Sequence, residues 1–278
     1  MTIPRALTVA SSDSGGGAGI QADLKAFARC GVHGTSVIVA LTAQNTVGVT
    51  AVHEVPPDHV RAQLDAVLGD IGADAVKTGM LFSAPLIETV ADALAPLGLP
   101  VVVDPVLVAS SGARLLRPDA VEALLTRLVP IATVLTPNLP EAQALTGLDT
   151  EDRAALAERL VGMGAGAAVV TGGHGTHPVD HLFDGTDHVE IPVPRHAVAA
   201  THGAGCTHSA ALAAALATGL PLPAAARAAA AVAGDAVRHG LTDLGAGEGP
   251  VHVLHAAAGQ FSQFPPRNDW ELLQSTSE

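Results

Sequence analysis

Short apolar runs alternate along this chain with longer stretches in which apolar residues recur every three or four positions. The short runs Ala6–Ala10, Thr35–Leu41, Ala75–Lys77, Val101–Val103, Thr133–Leu135 and Ala167–Thr171 read as core strands. Helical patterns fall near Ile20–Arg29, Asp58–Gly69, Ala84–Ala95, Asp119–Leu128, Pro140–Leu145, Arg153–Met163, Thr207–Thr218 and Ala224–Arg238. Strands alternating with helices predict an α/β protein, a mostly parallel central sheet covered by helices. Between Pro178 and Pro194 the pattern changes to a hairpin, with Val179–Phe183 and His188–Val193 flanking Asp184-Gly185-Thr186-Asp187. No linker divides the chain, so one domain over residues 1–260 is expected, with residues 261–278 as a loosely packed tail.

In such sheets ligands bind outside the carboxyl ends of the strands. Those ends are Ser11-Ser12-Asp13, Thr42-Ala43-Gln44-Asn45, Thr78-Gly79-Met80, Asp104-Pro105, Thr136-Pro137-Asn138 and Gly172-Gly173-His174, all polar or glycine-containing.

Composition changes this picture in two ways. Aromatic residues make up only 2% of the 278 positions while 48% are apolar, so burial falls to Ala, Val and Leu on closely packed helices. The net charge of −13 argues against nucleic acid or an anionic membrane as partner. It also means that a phosphate substrate would need local N–H groups, a divalent cation or a few basic side chains to overcome the global field. Cys30 and Cys206 form neither a disulfide framework nor a zinc pattern, and the first ten residues lack a signal-peptide pattern, so a cytoplasmic protein is expected.

The stretch Thr201-His-Gly-Ala-Gly-Cys-Thr207 is a glycine-rich turn entering an Ala/Leu helix. Such a turn can point several N–H groups at one anion, aided by the positive end of the helix. Taken alone, it fits equally a tight turn in which Cys206 packs as a small hydrophobe. Gly15-Gly-Gly-Ala-Gly19 is a poor dinucleotide fingerprint and reads better as a strand-to-helix turn. Asp23, just beyond it, is either a residue at the rim of a pocket or a surface aspartate near a helix start. Gln44 carries a carboxamide that suits the edge of a nitrogen heterocycle, whereas Asn45 reads as a turn residue. Asn138-Leu-Pro-Glu141 has the spacing of a helix capping box, and together with Asp104 it also offers hard oxygen donors for Mg²⁺ beside phosphates. None of the 13 histidines has metal-site spacing.

Five blocks in this order, Ser12-Asp-Ser-Gly-Gly-Gly-Ala-Gly-Ile-Gln-Ala-Asp-Leu-Lys25, Leu41-Thr-Ala-Gln-Asn-Thr46, Asp104-Pro-Val, Thr136-Pro-Asn-Leu-Pro-Glu141 and His202-Gly-Ala-Gly-Cys-Thr207, resemble the bacterial hydroxymethylpyrimidine/phosphomethylpyrimidine kinases of thiamine biosynthesis. The resemblance spans about Arg5 to Arg238. It implies a ribokinase-like three-layer sandwich and ATP- and Mg²⁺-dependent phosphorylation of 4-amino-5-hydroxymethyl-2-methylpyrimidine, then of its monophosphate. It further implies that Gln44, Asp23 and Met80 hold the pyrimidine, and that Asp104, Asn138 and Glu141 organise Mg²⁺ and the ATP phosphates, with Thr171 and Gly173 at the nucleotide. Gly203 and Gly205 would frame the anion hole and Cys206 would stand as catalytic base, its thiol made more acidic by the helix N-terminus. A homodimer is expected, and a pyridoxal kinase of the same fold is the alternative. The chain departs from the family at Ala204, where Thr is usual, at Thr171, where Lys is usual, and at Leu107 and Ala113, where Met and Asp are common.

Overall fold

The computed structural model describes residues 3–107, 118–173 and 176–255. Three of the features read from sequence, His174, Ala113 and the 261–278 tail, lie outside the described residues. Within them, β1 (Arg5–Asp13), β2 (His33–Gln44), β3 (Val49–Glu54), β4 (Ala75–Thr78), β5 (Val101–Val103), β6 (Val134–Leu135), β7 (Ala168–Val170), β8 (Val179–Phe183) and β9 (His188–Pro192) form one sheet. Their order is β3-β2-β1-β4-β5-β6-β7-β8-β9. The strands from β2 to β7 in that order run parallel, while β3 at one edge and the β8–β9 hairpin at the other are antiparallel.

Eight α-helices cover it among the described residues: α1 (Gly19–Arg29), α2 (Pro57–Ala66), α3 (Ala84–Leu94), α4 (Pro118–Ala123), α5 (Leu139–Thr146), α6 (Arg153–Gly162), α7 (Ala204–Ala217) and α8 (Leu222–Arg238). Side chains alternate across each strand, so Leu7 and Val9 enter one core with α2 to α6, while Ala6 enters the other with α1, α7 and α8. These are the three layers that the resemblance implies. Both faces of the central strands are buried, which is why they read as nearly unbroken apolar runs. No described helix is long and apolar enough to cross a membrane.

Three departures from the pattern expected of the sequence bear on the site. Strand β3 is not among the expected strands, because its six residues Val49–Glu54 are half-buried or exposed and lack an apolar run. It is a bulged edge strand that continues the β2 turn, with the register shifting between Ala43 and Gln44. Strands β1 and β2 run on to Asp13 and Gln44, so both residues sit on strand ends rather than in loops. Helix α7 begins at Ala204, three residues before the predicted start, because Gly203 takes a left-handed conformation (φ +82°) and turns the chain into the helix by itself.

Candidate functional site

The strand ends converge on a pocket of about 890 Å³ lined by residues from every block singled out in the sequence. Gln44, Met80, Asp104, Asn138, Glu141, Thr171, Gly173, Gly203, Gly205 and Cys206 all line it. One residue expected at its rim does not.

That residue is Asp23, which is completely buried. Isoleucine and alanines on the same face of α1 pull that face onto the sheet, and the carboxylate lands beneath the pocket floor. There both of its oxygens lie 2.9 Å from Lys77 Nζ, and the Thr8 hydroxyl donates to Oδ2 at 2.6 Å. Lys77, also without exposure, stands 3.9 Å from Asp104 Oδ2, whose oxygen accepts from the Ser209 hydroxyl at 2.9 Å. Burial works against the lysine's charge, but the Asp23 and Asp104 carboxylates outweigh it and raise its pKa, so Lys77 is held as the ammonium. A chain of Thr8, Asp23, Lys77, Asp104 and Ser209 thus ties α1, three strands and α7 together below the ligand space.

Above this floor lies the turn into α7. Gly203 is required twice over, by its positive φ and because a Cβ there would stand 1.8 Å from the Gly17 carbonyl oxygen. Gly205 is required for neither reason. A Cβ on it would meet nothing within 4 Å, and the residue is exposed to the pocket. Bare backbone facing open space at the first turn of a helix is the geometry of an anion cradle. Ala204 donates its N–H to Thr201 O at 3.1 Å, so the N–H groups of Gly205 and Cys206 are the ones left to the pocket.

Cys206 differs from the sequence expectation. Its thiol is pushed up to about 12, first by burial, with Asp104 and Asp23 adding to the rise against the pull of Lys77. Desolvation and two carboxylates outweigh the helix dipole, and the free site holds a thiol. Both cysteines are free.

The glycine-rich turn after β1 is organised by a residue to which the motif assigns no role. Asp13 accepts the N–H groups of Gly15, Gly17 and Ala18 at 2.8, 3.1 and 2.8 Å. Its other contact is His202 Nε2 at 3.1 Å. Burial alone would raise the Asp13 pKa, but the bonds from His202, Ala18 and Gly15 hold it below its ordinary value. Because that carboxylate accepts, His202 Nε2 carries a proton. Gln44 Nε2 lies 3.3 Å from the same nitrogen, while Gln44 Oε1 accepts from Thr42 at 3.1 Å. The Gln44 amide nitrogen therefore faces a donor, and its hydrogens are available to an acceptor in the pocket. A sequence signal for Asp13 exists: a carboxylate directly before a run of glycines at a strand end.

On the opposite side, Asn138 caps α5 by accepting the Glu141 N–H at 2.9 Å, and Glu141 Oε2 accepts the Asn138 N–H at 3.0 Å. The capping box read from spacing is real. It fixes the Glu141 carboxylate at the pocket wall, and burial together with the Asp104 charge pushes the Glu141 pKa up to about 8. Two carboxylates that resist joint ionisation are a donor set suited to a cation. Next to them Asp180 on β8 accepts the Gly172 N–H at 2.6 Å and pairs with His208 Nε2 at 3.1 Å, locking the end of β7 to α7.

Comparison with known proteins gives a consistent set. The sequence model of the phosphomethylpyrimidine kinase family matches residues 13–252. A hydroxymethylpyrimidine/phosphomethylpyrimidine kinase of Rhizobium meliloti is 50% identical over 257 residues, covering 90% of this chain and 97% of the relative. A thiamine biosynthesis bifunctional protein of Geobacter sulfurreducens is 49% identical over 90% of this chain, which spans 52% of that protein. Among solved structures, the Bacillus subtilis pyridoxal kinase in its ADP complex superposes with a TM-score of 0.84 at 37% identity, covering 92% of this chain and all of that one.

Proposed function

Since the chain belongs to the phosphomethylpyrimidine kinase family, we propose that it transfers phosphate from ATP to 4-amino-5-hydroxymethyl-2-methylpyrimidine and then to the resulting monophosphate, supplying the pyrimidine diphosphate of thiamine biosynthesis. The observation that carries the reading is the Gly203–Cys206 turn, whose bare Gly205 opens onto a pocket with a free carboxamide on one side and a carboxylate pair on the other.

The acceptor ring belongs on the β1, β2 and β4 side. There the Gln44 amide donates to a ring nitrogen, and Met80 packs against the ring from the β4 end. Asp23 acts from below, through Lys77, and not by touching the ring. The nucleotide belongs on the β6 and β7 side, near Asn138, Thr171 and Gly173. Asp104 and Glu141 fit Mg²⁺, since hard oxygen donors hold this ion through its water shell, and the ion when bound neutralises phosphate charge. Transfer makes a bond from the acceptor hydroxyl oxygen to the γ-phosphorus and breaks the bond to the β–γ bridging oxygen. The Cys206 thiol first gives up its own proton to solvent; as the thiolate it then takes the hydroxyl proton, and ADP leaves. Phosphoryl transfer demands mainly positioning and stabilisation of charge on the phosphoryl oxygens, so the Gly205 and Cys206 N–H groups contribute more than the base.

The decisive experiment is an ADP-release assay with hydroxymethylpyrimidine, its monophosphate and pyridoxal as acceptors. Turnover with both pyrimidines is expected, and activity with none of the three would sink the reading. Cys206→Ala is expected to lower kcat by roughly 10²-fold, the low end for a general base because its thiol resists deprotonation, with the KM for ATP little changed. Unchanged kcat would remove the base role. Gln44→Ala is expected to raise the KM for the pyrimidine by about tenfold, the loss of one hydrogen bond of about 1.4 kcal/mol, and equal KM values would remove that assignment.

A further inference from the structure

A second group of titratable side chains gathers where α8 ends. Asp235 lies in the last turn of that helix, His239 is its C-cap, and His255 joins them from the segment that follows. Each offers one ligand atom, and the three atoms lie within 4.8 Å of one another. His255 Nε2 is 3.3 Å from Asp235 Oδ2, and His239 Nδ1 is 3.4 Å from Oδ1. The two imidazole rings stack with centroids 3.8 Å apart and planes 8° from parallel. None of the three lines the pocket, to which α8 turns Ala230, Ala233 and Val237 instead. No spacing in the sequence marks the group, because His255 reaches it only through the fold.

The members of the group are held in place by their neighbours. Arg29, at the end of α1, donates to Asp235 Oδ2 and, at 2.8 Å, to Val253 O, which leaves Asp235 Oδ1 outside its grip. The bond from Arg29, with His255 and His239 adding to it, keeps the Asp235 carboxyl below its ordinary value and therefore ionised at neutral pH. Outer hydrogen bonds of this kind orient a metal-binding carboxylate. Arg29 Nη1 also stands 3.5 Å from His255 Nδ1, so Nε2 is the nitrogen that His255 turns to the group. His239 Nδ1 lies 2.9 Å from Asp235 O, which fixes that ring against the helix. The segment carrying His255 is tied down as well. His252 donates its N–H to Ala236 O and Val251 donates to His202 O, both at 3.0 Å, so the segment runs from the group to the turn before α7.

We propose that Asp235, His239 and His255 form a binding site for zinc or a neighbouring late transition metal, which clamps the segment after α8 to the end of the helix. Two imidazoles and one carboxylate suit zinc, nickel or copper, whereas magnesium prefers oxygen donors. The charge of Arg29 works in the same direction, since it disfavours a hard ion held by charge alone. Zinc bonds of about 2.0–2.1 Å in a tetrahedron set ligand atoms roughly 3.3 Å apart. The Asp235–His255 pair already has that spacing, and the exposed His239 has room to close on it. The metal joins the two ends of the loop from His239 to His255, and a clip of this kind stabilises the fold by restricting the unfolded chain. The site is independent of the kinase reading and of the carboxylates that fit Mg²⁺.

The test is calorimetric titration of Zn²⁺ into the EDTA-treated full chain, with the parent protein, His239→Ala, His255→Ala and Glu141→Gln. The parent and Glu141→Gln are expected to take up zinc at this site with equal affinity. Each histidine variant should bind it about 10²-fold more weakly, at least what the loss of an outer partner costs. Zn²⁺ should raise the thermal midpoint of the parent by more than that of either histidine variant. Without metal, His239→Ala should melt with the parent, because its side chain is exposed. An excess of Mg²⁺ should leave the bound zinc in place. Parent protein that takes up no zinc, or uptake that is undiminished in both histidine variants, overturns the proposal. Loss of uptake in Glu141→Gln alone overturns it too, by placing the metal in the pocket.

Discussion

Lys77→Met is expected to cost the protein about 3–5 kcal/mol of stability, measured as a drop in the urea midpoint, because it leaves a buried carboxylate without its partner. The substitution keeps the volume of the stem and removes only the charge. Asp23 would then retain the Thr8 hydroxyl as its one remaining donor in a site with no water access. The double variant Asp23→Leu, Lys77→Met should recover much of the loss, since replacing a buried pair by apolar residues is often close to neutral. The raised pKa of Lys77 sets the pH dependence of the pair. Its contribution is complete below the ordinary lysine value of 10.5 and lost only above it, so the cost of Lys77→Met should be the same at pH 7 and pH 9. A cost below about 1 kcal/mol would mean that Asp23 is not left as an uncompensated buried charge.

The two glycines of the anion turn should separate stability from catalysis. Gly203→Ala places a Cβ where the Gly17 carbonyl oxygen stands and demands a left-handed alanine, so the turn and the glycine-rich loop must part. The conformation alone costs roughly 1–2 kcal/mol, and a displacement near 1 Å at reacting atoms can cost about 10²-fold in rate. Both the thermal midpoint and kcat are expected to fall. Gly205→Ala meets nothing in the protein, so its midpoint should stay at the parent value. Its methyl group instead occupies space kept for phosphate, and both kcat and the affinity for ATP should drop. A Gly205→Ala enzyme with parent kinetics would place the phosphates elsewhere.

These two glycines also mark the boundary of what sequence can tell. Their spacing before an Ala/Leu helix fits an anion turn and a purely structural turn equally, and it does not say that Gly203 is held against the Gly17 backbone while Gly205 faces open space. That distinction depends on Gly17, 186 positions earlier and brought close only by the fold. The same limit applies to Asp23. Spacing places it one turn into a helix, and the side of that helix facing the sheet depends on a lysine from β4 that no local pattern connects to it. Core strands are legible because burial on both faces makes them uniformly apolar. Edge strand β3 is not, because its exposed positions erase that signal. The Asn138–Glu141 cap is legible in full, since all its partners lie within four residues. Cys206 is legible in place but not in chemistry: the helix dipole is visible in sequence, while the burial and neighbouring carboxylates that defeat it are not.

Helix α7 connects the alanine-rich composition of the chain to the working of the site. Thr207 through Ala215 are buried on every side, between α1, α8 and the sheet. A rod enclosed in this way has no free face on which to relax. At 1.5 Å per residue, Ala214 lies about 15 Å from the N-terminal end of α7, yet a larger side chain there would have to shift the whole rod along or across its axis. The alanines of α7 thus hold the Gly203–Cys206 turn in place against the sheet, and the scarcity of aromatic residues is in part their trace: bulk has been kept away from the axle on which that turn is mounted.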